Sequence, residues 1–149
     1  MKIDNEVEPL VRATLDAAVN RDTPRFESAL SVFISRDLTQ RGVEIAVAVC
    51  AYVLFDIHEG KPSESEIDEL ARDIARQEQW MDVDSGEAAD LLRALVHHQP
   101  LKNVLPEESV VVLPYLVAAN LLATTASSED GEWWFNYLDK VEAAIEAAG

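Results

Sequence analysis

Two stretches of this chain are apolar around the whole circumference of a helix: "VEIAVAVCAYVLFDI" at residues 43–57 and "LPEESVVVLPYLVAANLLATT" at residues 105–125. Glu44 and Asp56 are the only charges in the first. A helix lying on a protein surface shows an apolar stripe and a polar face, so neither segment suits an exposed position. Each must be surrounded, either by the rest of the chain or by a second subunit. Elsewhere apolar residues recur every three or four positions, and no alternating strand pattern is sustained. A length of 149 residues suits one compact domain. The expected fold is therefore all-α, a single-domain bundle of about seven helices over residues 1–149, with two central, largely buried apolar helices.

The boundaries follow from caps and breakers. Ile3, Val7, Leu10, Val11, Leu15 and Val19 form one stripe, predicting a first helix to about Asn20 in which Pro9 limits the regular start. Thr23 suits an N-cap ahead of Pro24, and the second helix then buries Phe26, Leu30, Phe33, Ile34 and Leu38. Gly42 suits the turn that ends it, with the third helix running from Val43 to about His58. Ser63 and Glu66 have capping-box spacing at the start of a fourth helix that buries Ile67, Leu70 and Ile74. A fifth runs from about Ser85 to His98 and buries Ala88, Leu91, Leu92 and Leu95. Pro114 predicts a kinked sixth helix, or a β-branched lead-in with the helix proper starting at the proline. The last helix follows "SSEDG" and carries Trp134, Tyr137, Leu138, Val141 and Ile145 on one face.

Charge and cysteine usage narrow the function classes. A net charge of -16 repels nucleic-acid phosphates and anionic membrane surfaces, so neither is an expected partner. The single cysteine, Cys50, excludes an intramolecular disulfide and predicts a buried reduced thiol, which favours a cytoplasmic setting. The start "MKIDNEVEPL" has no apolar signal-peptide core. The longest uninterrupted apolar stretch, residues 45–55, is short of the roughly 20 residues of a membrane span.

Half of the charge is concentrated. Residues 64–90 carry ten acidic and two basic side chains, a net of -8. Within them "MDVDSGEAAD" invites comparison with a calcium loop, which needs glycine at position 6 and a bidentate Glu at position 12. Counted from Asp82, glycine falls at position 5 and Arg93 at position 12. A capped helix start fits better, with Ser85 as N-cap and Glu87 in the first turn at the positive end of the helix dipole.

A second acidic pattern pairs Glu66 and Glu69 with Glu87 and Asp90 across 17 intervening residues. Over "SEIDEL" and "GEAADLL" it resembles the ExxE and ExxD pairs of all-helical MazG-like nucleotide pyrophosphohydrolases. That resemblance implies magnesium held against a triphosphate by Glu66, Glu69, Glu87 and Asp90. The chain departs from the family pattern at Ser65 and Gly86, where doubled glutamates are expected. At about 100° per residue Asp90 also lies nearly opposite the apolar centre of its helix, whereas Glu66, Glu69 and Asp73 share one face.

Other side chains offer little chemistry. His97 and His98 diverge on a helix and cannot chelate together, and His58 sits at a helix end, where a protonated ring complements the dipole. No nucleophile elbow, phosphate loop or zinc-ligand cysteine pair is present. Asn120, inside an apolar helix, needs a hydrogen-bond partner if buried. Trp133 and Phe135 fall off the stripe of the last helix, so they are either wrapped by the bundle or exposed as partner anchors. The expectation is a non-catalytic binding or regulatory protein without a cofactor, inhibitor- or immunity-like, that docks a basic protein partner. Its candidate contact residues are Glu66, Glu69, Asp73, Asp82, Asp84, Asp90, Trp133 and Phe135. Homodimerisation through one of the apolar helices is a further expectation.

Overall fold

The computed structural model describes residues 1–129 and 133–149; of the "SSEDG" expected to precede the last helix, residues 127–129 are helical and 130–131 lie outside the described residues. Among the described residues the chain forms seven α-helices and no strand. They are α1 (Glu8–Val19), α2 (Thr23–Ser35), α3 (Thr39–Ile57), α4 (Glu64–Gln77), α5 (Ser85–His97), α6 (Glu107–Glu129) and α7 (Trp134–Ala148), with short 3₁₀ turns at Gln79–Met81 and Leu101–Asn103. The all-α bundle expected from the periodicity is what forms.

The two apolar helices are its centre. α3 and α6 pack against each other more extensively than any other pair, with α1 and α7 each touching both. α4 and α5 form a tight hairpin that closes the remaining side of α6. Leu113 to Leu122 of α6 are all buried, as are Ile45, Ala46, Val49, Cys50, Val53 and Leu54 of α3. The bundle covers most of both helices, while Val47, Ala48, Ala51 and Phe55 of α3 are only half-buried and Tyr52 is exposed.

Length and composition give Glu107–Ala126 enough apolar character to cross a membrane, with a mean hydropathy of 1.7, although its unbroken apolar runs are shorter than residues 45–55. Glu107 and Glu108 stay exposed at the start of this run, whereas Asn120 is buried within it. Burial of 67% inside the bundle is the behaviour of a core helix. α6 is helical through Pro114, so a lead-in ending at the proline does not form. The Cys50 thiol donates to the Pro114 carbonyl at 3.2 Å, and burial pushes its pKa up.

The junctions differ most from expectation. Arg21, Asp37, Glu59, Asp82 and His98, none of them glycine, adopt left-handed conformations with φ between 50° and 56° where helices or 3₁₀ turns stop. The chain therefore ends α2 at Asp37, and Gly42 lies inside α3 instead of in the turn expected there. Close packing explains the glycine: a Cβ at position 42 would stand 2.5 Å from Tyr115 Oη and 2.6 Å from the Phe33 ring. Phe33 and Tyr115 stack over that spot with centroids 5.8 Å apart. One turn of the same logic corrects Ile34, expected in the core but 70% exposed, because Phe33 beside it takes the inward position.

Two N-caps lie one residue earlier than expected. Asp22 and Asp84, not Thr23 and Ser85, keep extended backbones and accept the Arg25 and Glu87 amides. At α4 the capping box forms as read: Ser63 Oγ accepts the Glu66 amide at 3.2 Å, and Glu66 Oε1 accepts the Ser63 amide at 2.8 Å. Ser63→Ala is accordingly expected to lower stability by about 1 kcal/mol, measured as a shift of the urea midpoint at unchanged m-value.

Candidate functional site

The acidic stretch folds into two surfaces of unlike character, a charged seam between α4 and α5 and an outward flank. Arg93 on α5 occupies the seam. Its Nε meets Glu64 at 2.8 Å, its Nη2 meets Asp68 at 2.7 Å and its Nη1 meets Asp90 at 3.5 Å. Asp90, opposite the apolar centre of its helix, stays about half exposed at 48% and joins this surface ion-pair set. Glu87 turns toward α6, where its carboxylate accepts the Ser109 hydroxyl.

On the outward flank of α4, Glu66, Glu69 and Asp73 line a shallow depression of about 200 Å³ with His58 and Leu70. The His58 Nδ1 donates to the Leu54 carbonyl at 2.8 Å. Capping hydrogen bonds from Ser63 hold Glu66 below the usual carboxylate range, so it stays ionised. Asp73 pairs with Arg76 at 2.9 Å, while no ion pair involves Glu69 among the described residues. Around the corner, Asp82 and Asp84 line a second open depression with Arg72, Arg76 and Gln79.

The structure does not gather Glu66, Glu69, Glu87 and Asp90 into a magnesium site. Among the described residues no three His, Cys, Asp or Glu side chains are placed to hold a metal ion. The physical reason is visible in their partners: the four are committed to a cap, an open flank, α6 and Arg93.

Trp133 and Phe135 are solvent-facing, at 68% and 39% exposure, and stack on each other with centroids 5.8 Å apart. Trp134 between them turns inward. The depression beside this pair takes its lining from α1, α2 and α7 and none from α4 or α5. The aromatics and the acidic flank thus line separate depressions.

Sequence reasoning passed over Glu78, the most buried acid of the run. Its Oε1 accepts Trp80 Nε1 at 2.7 Å, and its Oε2 accepts Asn120 Nδ2 at 2.7 Å, with Arg21 Nη2 at 3.7 Å. Asn120 also donates to Gln77 Oε1 at 2.8 Å. This network pins the end of α4 to the middle of α6 beneath a crevice of about 290 Å³. Asn120 itself was the signal, since an amide in an apolar helix demands partners. Among ten acids in 27 residues, nothing in the sequence singled out Glu78 as that partner.

No protein-family model, curated protein or solved structure matches the chain.

Proposed function

We propose that this chain is a non-catalytic docking protein whose α4–α5 flank binds a basic protein partner, in the manner of an inhibitor or immunity protein that masks a cationic surface. The observation that supports this most is the division of labour in the hairpin. Arg93 bridges Glu64, Asp68 and Asp90, one cation against three carboxylates, so the seam keeps a net negative charge that adds to that of the flank. Glu66, Glu69, Asp73, Asp82 and Asp84 are left facing outward with only Arg72 and Arg76 as cations within residues 64–90. Such a field accelerates encounter with a cationic partner and discriminates against acidic ones. A buried reduced Cys50 suits a reducing compartment, and a cytoplasmic setting belongs to the same proposal.

Immobilised protein exposed to native lysate at low salt is expected to retain one or a few basic proteins. Roughly 0.5 M salt should release them, because the Debye length falls to a few ångströms. Retention of no basic protein at low salt would sink the proposal.

A further inference from the structure

α1 and α7 run antiparallel and meet through long polar side chains: the Ile3 amide donates to Glu146 Oε2 at 3.3 Å, and Arg12 reaches Asp139 and Glu142. Arg12 meets three carboxylates there. Its Nε holds Glu8 at 2.7 Å, and its Nη2 holds Asp139 at 2.7 Å and Glu142 at 3.2 Å. Asp139 is 63% exposed and water can screen it, but the Glu142 side chain is only 13% exposed. One Glu142 oxygen meets Arg12; the other, Oε2, is buried with no hydrogen-bond partner.

An ionised carboxylate with a buried, unsolvated oxygen beside two more carboxylates is poorly stabilised. A protonated one is a different object. Its hydroxyl becomes a donor, and Glu8 is the acceptor at hand. We propose that the α1–α7 seam is a proton-operated clasp, tightened when Glu142 is protonated and loosened when Glu142 carries its charge beside Glu8 and Asp139.

The charges acting on Glu142 come from α1, as Glu8 and Arg12, and from α7 itself, as Asp139. α3 and α6 pack on the apolar face of α7 that buries Leu138, Val141 and Ile145. Asp56 of α3 accepts the Tyr137 hydroxyl nearer the start of α7. Lys140, the only cation on α7, has a partner of its own. Burial first, then the charge of Glu8, push the Glu142 carboxyl from the ordinary 4.5 up to about 7, against the opposing pull of Arg12. A carboxyl whose pKa is raised by folding contributes stability that is complete below its unfolded pKa. That contribution is lost as pH rises through the folded value, so the window runs from about 4.5 to about 7.

The test compares wild type, Glu142→Gln and the exposed control Glu27→Gln at about pH 5.5 and about pH 8. Glutamine keeps an acceptor for Arg12 and a donor for Glu8 without the charge, so Glu142→Gln is expected to raise Tm by about 3–6 °C at the higher pH. At the lower pH the gain should shrink several-fold, and the control should show no such difference. Independently of any variant, carboxyl-carbon NMR of the unmodified chain should place the Glu142 midpoint near 7. Hydrogen exchange, corrected for intrinsic rates, should show protection in α1 and α7 falling with pH more than in α3. A Glu142 midpoint in the ordinary carboxylate range would overturn the clasp. So would an equal Tm effect of Glu142→Gln at both pH values, or a uniform change in protection.

Discussion

Asn120→Leu is expected to lower stability by about 2–4 kcal/mol although it makes the central helix more apolar. The amide of Asn120 supplies the 2.7 Å bond to Glu78 Oε2 and the 2.8 Å bond to Gln77 Oε1. Without it, Glu78 keeps Trp80 on one oxygen, but its other oxygen is left with Arg21 at 3.7 Å. A buried carboxylate missing a partner costs more than the lost bond itself, since nothing replaces the water it gave up in folding. In a chain of this size the loss corresponds to a Tm decrease of roughly 5–12 °C, readable by calorimetry. Asn120→Asp sharpens the point, because it sets a second carboxylate against Glu78. Protonating either carboxyl relieves that repulsion, so the variant should be least stable at neutral pH and recover on acidification. A neutral or stabilising Asn120→Leu would show that the network does not hold α4 to α6.

Phe33→Ala should be the more damaging of two neighbouring substitutions, costing about 3–5 kcal/mol, whereas Ile34→Ala should cost less than about 0.5 kcal/mol. Phe33 is 2% exposed, stacks on Tyr115 and lies against Gly42, so its removal opens a cavity walled by rigid neighbours. Ile34 is 70% exposed and touches no core. Urea unfolding of the two variants separates them directly. Equal losses would place Ile34 in the core and rotate α2 from its described position.

These residues also show what the sequence revealed and where it fell silent. Helix number and the central pair were legible because burial imprints the 3.6-residue period on amphipathic helices and erases it on surrounded ones. Helix ends were not, because this chain stops its helices at Arg21, Asp37, Glu59 and His98, which have none of glycine's conspicuousness as a stop signal. Gly42 misled for the same reason: glycine served the approach of Tyr115, not a turn. Asp22 and Asp84 each precede another competent cap, and only the backbone angle decides between neighbours. The acidic flank was legible as composition. Which acids meet Arg93, Ser109 or Asn120 depends on how separate helices pack against each other. Likewise the Glu8–Arg12 pair is visible at spacing i,i+4, but Glu142 joins it from 130 residues away.

The docking proposal is tested most directly by reversing the same amount of charge at two different places. Glu69→Lys, Asp73→Lys and Asp82→Lys together reverse the proposed flank, while Glu27→Lys, Asp37→Lys and Glu44→Lys make the same net change on α2, α3 and their junction. Asp37 and Asp82 share the left-handed backbone, so local strain is matched. Capture of basic partners from lysate should fall at least about tenfold for the first set, the order expected for several charge contacts at low salt, and by far less for the second. Equal loss in both would reduce the acidity to a general repulsive field and contradict a docking face on α4 and α5.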